Sequence, residues 1–325
     1  MALSNKILIT GANGFLGAQL AQSLAQKDYQ VIAAMRDKSK AVNLYHKNIS
    51  IVQTDYSNDL DKIIDNVDTI IHTAALLSSN FKSRKSDYFK INVNLTKNLL
   101  EKCINSKLKR FIFISSVGVY GETRNECADE NSSMGEKLSY YEQSKYEAEK
   151  VCEYFFDRVS IIVLRLSQLY GPTMKYGWPE VFKQIKNNKF YLLGRAQGTI
   201  QPLYVDDVVE GIESVVKGNG RDGQIYNMAG KEIIALNELF AQMASILKVK
   251  PIKRLPYLPV FALSHLLKLI PSFLKTNKLN LITPHNVAFF KTKRCYKIDK
   301  AKKELGFDPR VGIKEGLEKT INDFI

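Results

Sequence analysis

The sequence predicts an α/β protein built on a doubly wound parallel sheet, with a smaller C-terminal lobe that binds substrate. Three observations predict it. Short β-branched runs alternate with helical stretches through the first half of the 325-residue chain. A glycine-rich turn joins the first such run to the first helix. After about residue 166 the alternation weakens, and loop signals accumulate at Gly171-Pro172, Gly177, Pro179, Gly194 and Gly198.

The elements follow in order. Strands are expected at 6–10, 30–35, 49–53, 68–72, 109–114 and 160–165, and helices at 14–27, 59–65, 86–105 and 141–156. Right-handed crossovers between parallel strands cover both faces of the sheet. Residues 1–166 therefore form a nucleotide-binding domain and 167–325 mainly a substrate lobe, with a stretch at about 200–228 returning to the first domain.

The turn Thr10-Gly11-Ala12-Asn13-Gly14-Phe15-Leu16-Gly17 follows the apolar run Ile7-Leu8-Ile9. A helix N-terminus offers unpaired N–H groups and the positive end of a dipole, which suits an anionic pyrophosphate. Gly11 permits the tight turn, Gly14 lets the backbone approach phosphate, and Gly17 lets the helix pack on the strand.

Composition is that of an ordinary globular protein, 45% apolar and 25% charged. No secretory signal precedes the first strand, and a cytoplasmic location is expected, with peripheral contact at the inner face of the membrane as an extension of it. Cys103, Cys127, Cys152 and Cys295 show no close pairing and read as free thiols of a reducing compartment. No metal site is expected from the scattered histidines.

Charge is uneven. The formal net charge is +14, yet residues 248–303 hold fourteen Lys or Arg against one acid, Asp299. An anionic substrate, an acidic membrane surface or a solvated basic face each accounts for this; nucleic acid ranks lowest because no recognition motif accompanies the charge. Within this segment, residues 256–275 are strongly apolar, but prolines at 256, 259 and 271 limit a helix to about 12 residues, too short to span a bilayer. The segment reads as a lid over the substrate cleft, or as a monotopic anchor in which 256–278 meets the membrane and Lys268, Lys275 and Lys278 meet anionic lipid.

Chemistry concentrates in two places. Tyr141 and Lys145, four apart on a predicted helix, share one face. An ammonium beside a phenol favours the phenolate and lowers its pKa, so the pair can move a proton to or from a substrate oxygen. Ser115 and Ser116 end the strand beginning near 109, at the sheet edge where ligands bind, and Ser116 is the expected partner of the same oxygen.

These features resemble the extended short-chain dehydrogenase/reductases of the NAD(P)-dependent epimerase/dehydratase family. TGANGFLG is similar to the family's TGxxGxxG turn, His72-Thr73-Ala74-Ala75 to its HxAA segment, and Asn92-Val93 with Asn98-Leu99-Leu100 to its NVxGTxNLL helix. SSVGVYG resembles the S-x-x-VYG strand end, with Tyr141 standing 25 residues after Ser116. Tyr204-Val205-Asp206-Asp207-Val208 and the stretch 304–317 resemble the later YVDDV and C-terminal ELGFxPxVxxxEGL elements. The resemblance implies a Rossmann fold and a Ser116–Tyr141–Lys145 catalytic set. Its implied cofactor contacts are Gly11, Asn13, Gly14, Phe15, Leu16 and Gly17 of the turn, Arg36, Asp55 and Tyr56, Ala74 and Ala75, Asn92, and again Tyr141 and Lys145. Relatives commonly form homodimers through the helices at 86–105 and 141–156.

Where an NAD enzyme carries an acid after its second strand, this chain has Ala34 and Met35 followed by Arg36, which matches a 2′-phosphate and favours NADP over NAD. In the competing reading Arg36 stacks on adenine and Asp37 takes the ribose. The substrate positions also depart from the nucleotide-sugar pattern, with Gln168 where Asn is usual and Ile200 where Arg is usual. The apolar segment resembles that of 3β-hydroxysteroid-dehydrogenase-like members, while Lys293 or Arg294 could bind a diphosphate. The expected function is hydride exchange between NADP and a secondary alcohol or ketone on a small, hydrophobic substrate. The alternative is a nucleotide-sugar epimerase or dehydratase that recycles NAD internally. A non-catalytic dinucleotide-binding scaffold stands last, because Ser116, Tyr141 and Lys145 are all present.

Overall fold

The computed structural model describes residues 6–41, 44–56, 61–77, 83–123, 126–137, 139–268 and 282–325. Seven strands form one sheet: β1 (Lys6–Thr10), β2 (Gln30–Met35), β3 (Ile49–Gln53), β4 (Thr69–His72), β5 (Arg110–Ser116), β6 (Ile161–Leu166) and β7 (Gln224–Met228). Their order is β7-β6-β5-β4-β1-β2-β3, and every neighbouring pair is parallel. The chain reverses its winding between β1 and β4, which opens a crevice at the carboxyl ends of those strands.

Strand periodicity sorts the core onto two faces. Ile7 and Ile9 of β1 join Ile112 and Ile114 of β5 on one side; Leu8, Phe111 and Phe113 join the other. The first face is covered by α1 (Phe15–Gln26), through Leu16, Leu20 and Leu24 at four-residue spacing, and by Val208 and Ile212 of a later helix. The second is covered by α2, a continuous run from Lys85 to Cys103, and by α3 (Tyr140–Phe155). The run α2 was expected as one regular helix, but Phe89–Asn94 form a π-helical stretch between two α segments. Of the helix expected at 59–65, Asp61–Ile64 is a single turn, and residues 59 and 60 lie outside the described residues.

Beyond β6 come α4 (Trp178–Lys186), α5 (Val205–Val216), α6 (Leu236–Ile246), α7 (Tyr257–Lys268), α8 (Pro284–Ala288), α9 (Asp299–Leu305) and α10 (Ile313–Phe324). Helix α5 packs on α1 while β7 closes the sheet's edge. A separate apolar cluster of Phe182, Ile185, Leu239, Phe240, Leu317 and Ile321 holds α4, α6 and α10 together. Helix α7 is 12 residues long, and no described helix is long and apolar enough to cross a membrane. Pro271, Lys275 and Lys278 of the expected lid or anchor lie outside the described residues, as does the side chain of Lys268.

One expectation is overturned. Cys127 and Cys295 are not free thiols but a disulfide, with Cα atoms 4.6 Å apart. An isolated parallel bridge between Ala128 and Tyr296 sets the two cysteines side by side, a tertiary event invisible across a separation of 168 residues. Cys103 and Cys152 are the buried free thiols, and burial pushes Cys103 up to about 12.

Candidate active site

The glycine turn is required by its contacts. Gly11 has φ +68°, and a Cβ there would stand 2.7 Å from the Ala74 Cα. A Cβ on Gly17 would stand 2.5 Å from the Gly11 carbonyl oxygen. Gly14 begins α1 without a side-chain cap, and no acid lies in the first turn, so the helix's leading N–H groups are left for an anion. This uncapped, side-chain-free cradle fits a dinucleotide pyrophosphate. Asn13 is exposed, Phe15 half-buried and Leu16 buried in the core beneath.

Supports for the turn come from neighbouring strands. Tyr56 is buried, and its hydroxyl accepts from the Gly11 N–H (2.9 Å) and donates to the Ala34 carbonyl (2.9 Å). It thus braces the turn from below. His72 is buried between the hydroxyls of Thr10 (2.7 Å) and Thr96 (3.0 Å), and burial lowers its pKa to about 3. The Ala74 N–H donates to the Thr10 hydroxyl (3.3 Å), while Ala75 is half-buried beside it. Arg36 and Asp55 are exposed at the ends of β2 and β3. The Asp37 carboxylate accepts from the Ser39 N–H (3.0 Å) and hydroxyl (2.6 Å), which turns it onto its own loop.

Helix α3 is placed by a capping box. The Ser139 hydroxyl accepts from the Glu142 N–H and the Glu142 carboxylate accepts from the Ser139 N–H, both at 3.2 Å. Tyr141 therefore stands in the first turn of α3, where its phenol hydrogen-bonds to Ser116. Ser116 ends β5, and its Oγ also accepts from the Gly118 N–H (3.1 Å). Ser115, by contrast, is buried and bonds to Glu149. Asn92, from the π-helical stretch, bonds the backbone of Leu76 at both N–H (2.7 Å) and carbonyl (3.1 Å) and donates to the Ser144 hydroxyl (2.8 Å). It joins the segment after β4 to α3.

The electrostatics differ from expectation. Burial pushes Tyr141 up to about 12, the Ser116 hydrogen bond acts against this, and the negative charge of Glu142 adds to it. The lowering anticipated from Lys145 is not what acts on the phenol: the opposing influence is the Ser116 hydrogen bond, and desolvation outweighs it. Lys145 is buried with its Nζ 4.4 Å from the Phe113 ring centroid, and burial lowers its pKa to about 8. Behind this helix Glu149 forms a buried bidentate pair with Arg165, which also donates to Tyr120 (2.7 Å), and Tyr120 donates to Asn227 of β7 (2.8 Å). This network locks α3 to β5, β6 and β7.

A cluster of charged groups forms around Glu142. Arg294 Nη2 lies 3.7 Å from the Glu142 carboxylate, with the guanidinium over the Phe289 ring. Its Nε and Nη2 are buried and make no hydrogen bond among the described residues. His285 of α8 faces the same two charges; burial lowers its pKa, Glu142 opposes this and Arg294 reinforces it. Sequence reasoning named Arg294 but missed Glu142 and His285. The Ser139-x-x-Glu142 capping signature was the available signal for Glu142. Asp207 of the YVDDV element accepts from the N–H groups of Arg310 and Val311 (3.0 and 3.2 Å), tethering the C-terminal segment to α5.

A doubly wound parallel sheet with a side-chain-free phosphate cradle and a Ser–Tyr pair at its carboxyl edge defines a dinucleotide-dependent enzyme. The chain belongs to the NAD dependent epimerase/dehydratase family, whose model matches residues 7–229. It is 27% identical over 335 residues to an uncharacterized UDP-glucose epimerase, YtcB, of Bacillus subtilis (strain 168), covering 97% of this chain and 96% of the relative. It is 27% identical over 260 residues to the N-acetyl-alpha-D-glucosaminyl-diphospho-ditrans,octacis-undecaprenol 4-epimerase of Escherichia coli O157:H7, covering 78% and 76%. Among solved structures, a UDP-glucuronic acid 4-epimerase from Bacillus cereus in complex with NAD superimposes with TM-score 0.79 over 98% of both chains at 24% identity, a likeness of fold.

Proposed function

We propose that the protein epimerises a sugar carried on a diphosphate, and that it holds NAD within the site through the reaction. The hydrogen-bonded Ser116–Tyr141 pair, at the same carboxyl edge of the sheet as the uncapped N-terminus of α1, carries this reading. The names of the relatives support it over net reduction of a free ketone, which was the first expectation from sequence.

The residues divide the work as follows. Gly11, Gly14 and Gly17 admit the pyrophosphate to the first N–H groups of α1, Asp55 receives the adenine end, and Lys145 holds the nicotinamide ribose. A nicotinamide held there would supply a reversible hydride acceptor for the sugar carbon. Tyr141, once ionised to the phenolate, would accept the proton of the sugar hydroxyl as that carbon is oxidised and give it back on reduction. Ser116 donates its single hydroxyl proton to Tyr141 and limits how far burial raises the phenol. Arg294 pairs with the diphosphate through the nitrogens that make no protein hydrogen bond. Epimerisation is preferred to dehydration because the relatives named above over most of the chain are epimerases.

NAD replaces the NADP inferred from Arg36, because the family is described as NAD dependent and the Bacillus cereus enzyme is seen with NAD. Arg36 then lies along the adenine. Net reduction with NADP is the second reading, favoured by an exposed Arg36 and by an Asp37 already engaged with Ser39.

Mass spectrometry of the cofactor released from freshly purified protein separates the two. Retained NAD, together with interconversion of UDP-sugar 4-epimers followed by NMR, is the expected result. Tyr141→Phe should lose about 10²–10⁴-fold in turnover while still retaining NAD. A protein that arrives empty and binds NADPH well above NADH, or a Tyr141→Phe variant with full turnover, overturns the assignment.

A further inference from the structure

Helix α7 is apolar on both sides: Leu267 is buried and Val260 and Phe261 are half-buried, yet leucines also face outward. Ser264 is fully buried, with its hydroxyl returned to the Phe261 carbonyl (2.6 Å). Leu258 is 74% exposed, Leu266 64% and Leu263 44%. Leu258, Ala262 and Leu266 stand four apart, so they form one stripe along the outer face, and Pro259 and Leu263 widen it. A surface helix normally turns such a stripe to the core. Here the outward side chains are those with an affinity for an apolar medium.

The rim of this face is basic. Lys253 and Arg254, both exposed, lead into α7, and Lys291 sits with its Nζ 3.9 Å from the Tyr257 ring centroid. No Asp or Glu occurs from residue 248 to residue 298. A second copy of the same face would bring like charges together, which disfavours self-association through it. An acidic layer over an apolar interior matches both the rim and the stripe.

The face also has a place in the architecture. Helix α7 packs on α8, and α8 carries His285, which faces Glu142 and Arg294. The helix is too short to span a bilayer and suits lying in its surface.

We propose that α7 docks the protein on an anionic lipid bilayer, with Leu258, Leu263 and Leu266 entering the interface and Lys253, Arg254 and Lys291 meeting lipid headgroups. The docking does not depend on which reaction Tyr141 performs. The test is flotation of the full-length protein with vesicles of phosphatidylcholine alone and of phosphatidylcholine with 30% phosphatidylglycerol. Binding to the anionic vesicles, weakened by salt, is expected. Leu258→Glu with Leu266→Glu should abolish flotation, and Lys253→Ala with Arg254→Ala should lower it by about fivefold per charge removed. Because all four side chains are exposed, thermal melts of both variants should match the unaltered protein, and such a match fixes the loss on the surface. No flotation with the unaltered protein, equal flotation with neutral vesicles, or variants that float as well as it does would overturn the proposal. So would a concentration-dependent dimer that the leucine variants dissociate, since a second copy would then be the occupant.

Discussion

Tyr141 is held between opposing influences. Burial raises its pKa to about 12, and the hydrogen bond from Ser116 works in the other direction. Removing that bond leaves burial less opposed, so in Ser116→Ala the phenol pKa rises further. The acidic limb of the kcat–pH profile should move to higher pH, alongside a loss of turnover; a limb that stays in place would show that Ser116 positions substrate without tuning Tyr141. Both residues were legible in the sequence because each belongs to a short local pattern, a strand end and a helix face. Glu142 and His285 were not. Their meaning arises only when α3, α8 and the segment around Arg294 come together, and Arg294 itself was one of fourteen cations in a basic run.

Among the elements, the turn between β1 and α1 carries the strictest demands. Gly17→Ala would push a methyl to within 2.5 Å of the Gly11 carbonyl, a backbone atom that cannot step aside without moving the turn. The variant should lose about 1–3 kcal/mol of stability in urea melts and most of its NAD retention. Unchanged retention would mean that the turn has slack the contacts do not show. The six strands of the first half were legible to within two residues, since apolar runs buried on both faces of a parallel sheet leave a strong signal. The π-helical stretch Phe89–Asn94 was not, because its residues carry the same periodicity as the helix around them. It is this stretch that turns the Asn92 amide onto Leu76 and Ser144 at once.

At the scale of the molecule, the sheet and the C-terminal elements are joined by more than packing. Thr123 bonds the Lys293 carbonyl through its N–H, Ala128 bonds Cys295 and Lys297 through its backbone, and the Cys127–Cys295 bridge fastens the same contact. The bridge restricts the unfolded chain over 168 residues, which in the chain-entropy picture is worth about 5 kcal/mol. Cys295→Ser, or reduction of the unaltered protein, should lower the urea midpoint accordingly. An unchanged midpoint would show that the Ala128 hydrogen bonds already hold the segment. Nothing in the spacing of the cysteines announced this pairing; it follows from the fold.

That bridge makes a closed covalent ring of the chain from 127 to 295, and α3, β6 and β7 all lie within it. A protease that cuts the ring once, at any exposed loop, releases no fragment. The two pieces stay threaded through one sheet and tied at one bond, and they migrate as a single species on a denaturing gel until a reductant is added.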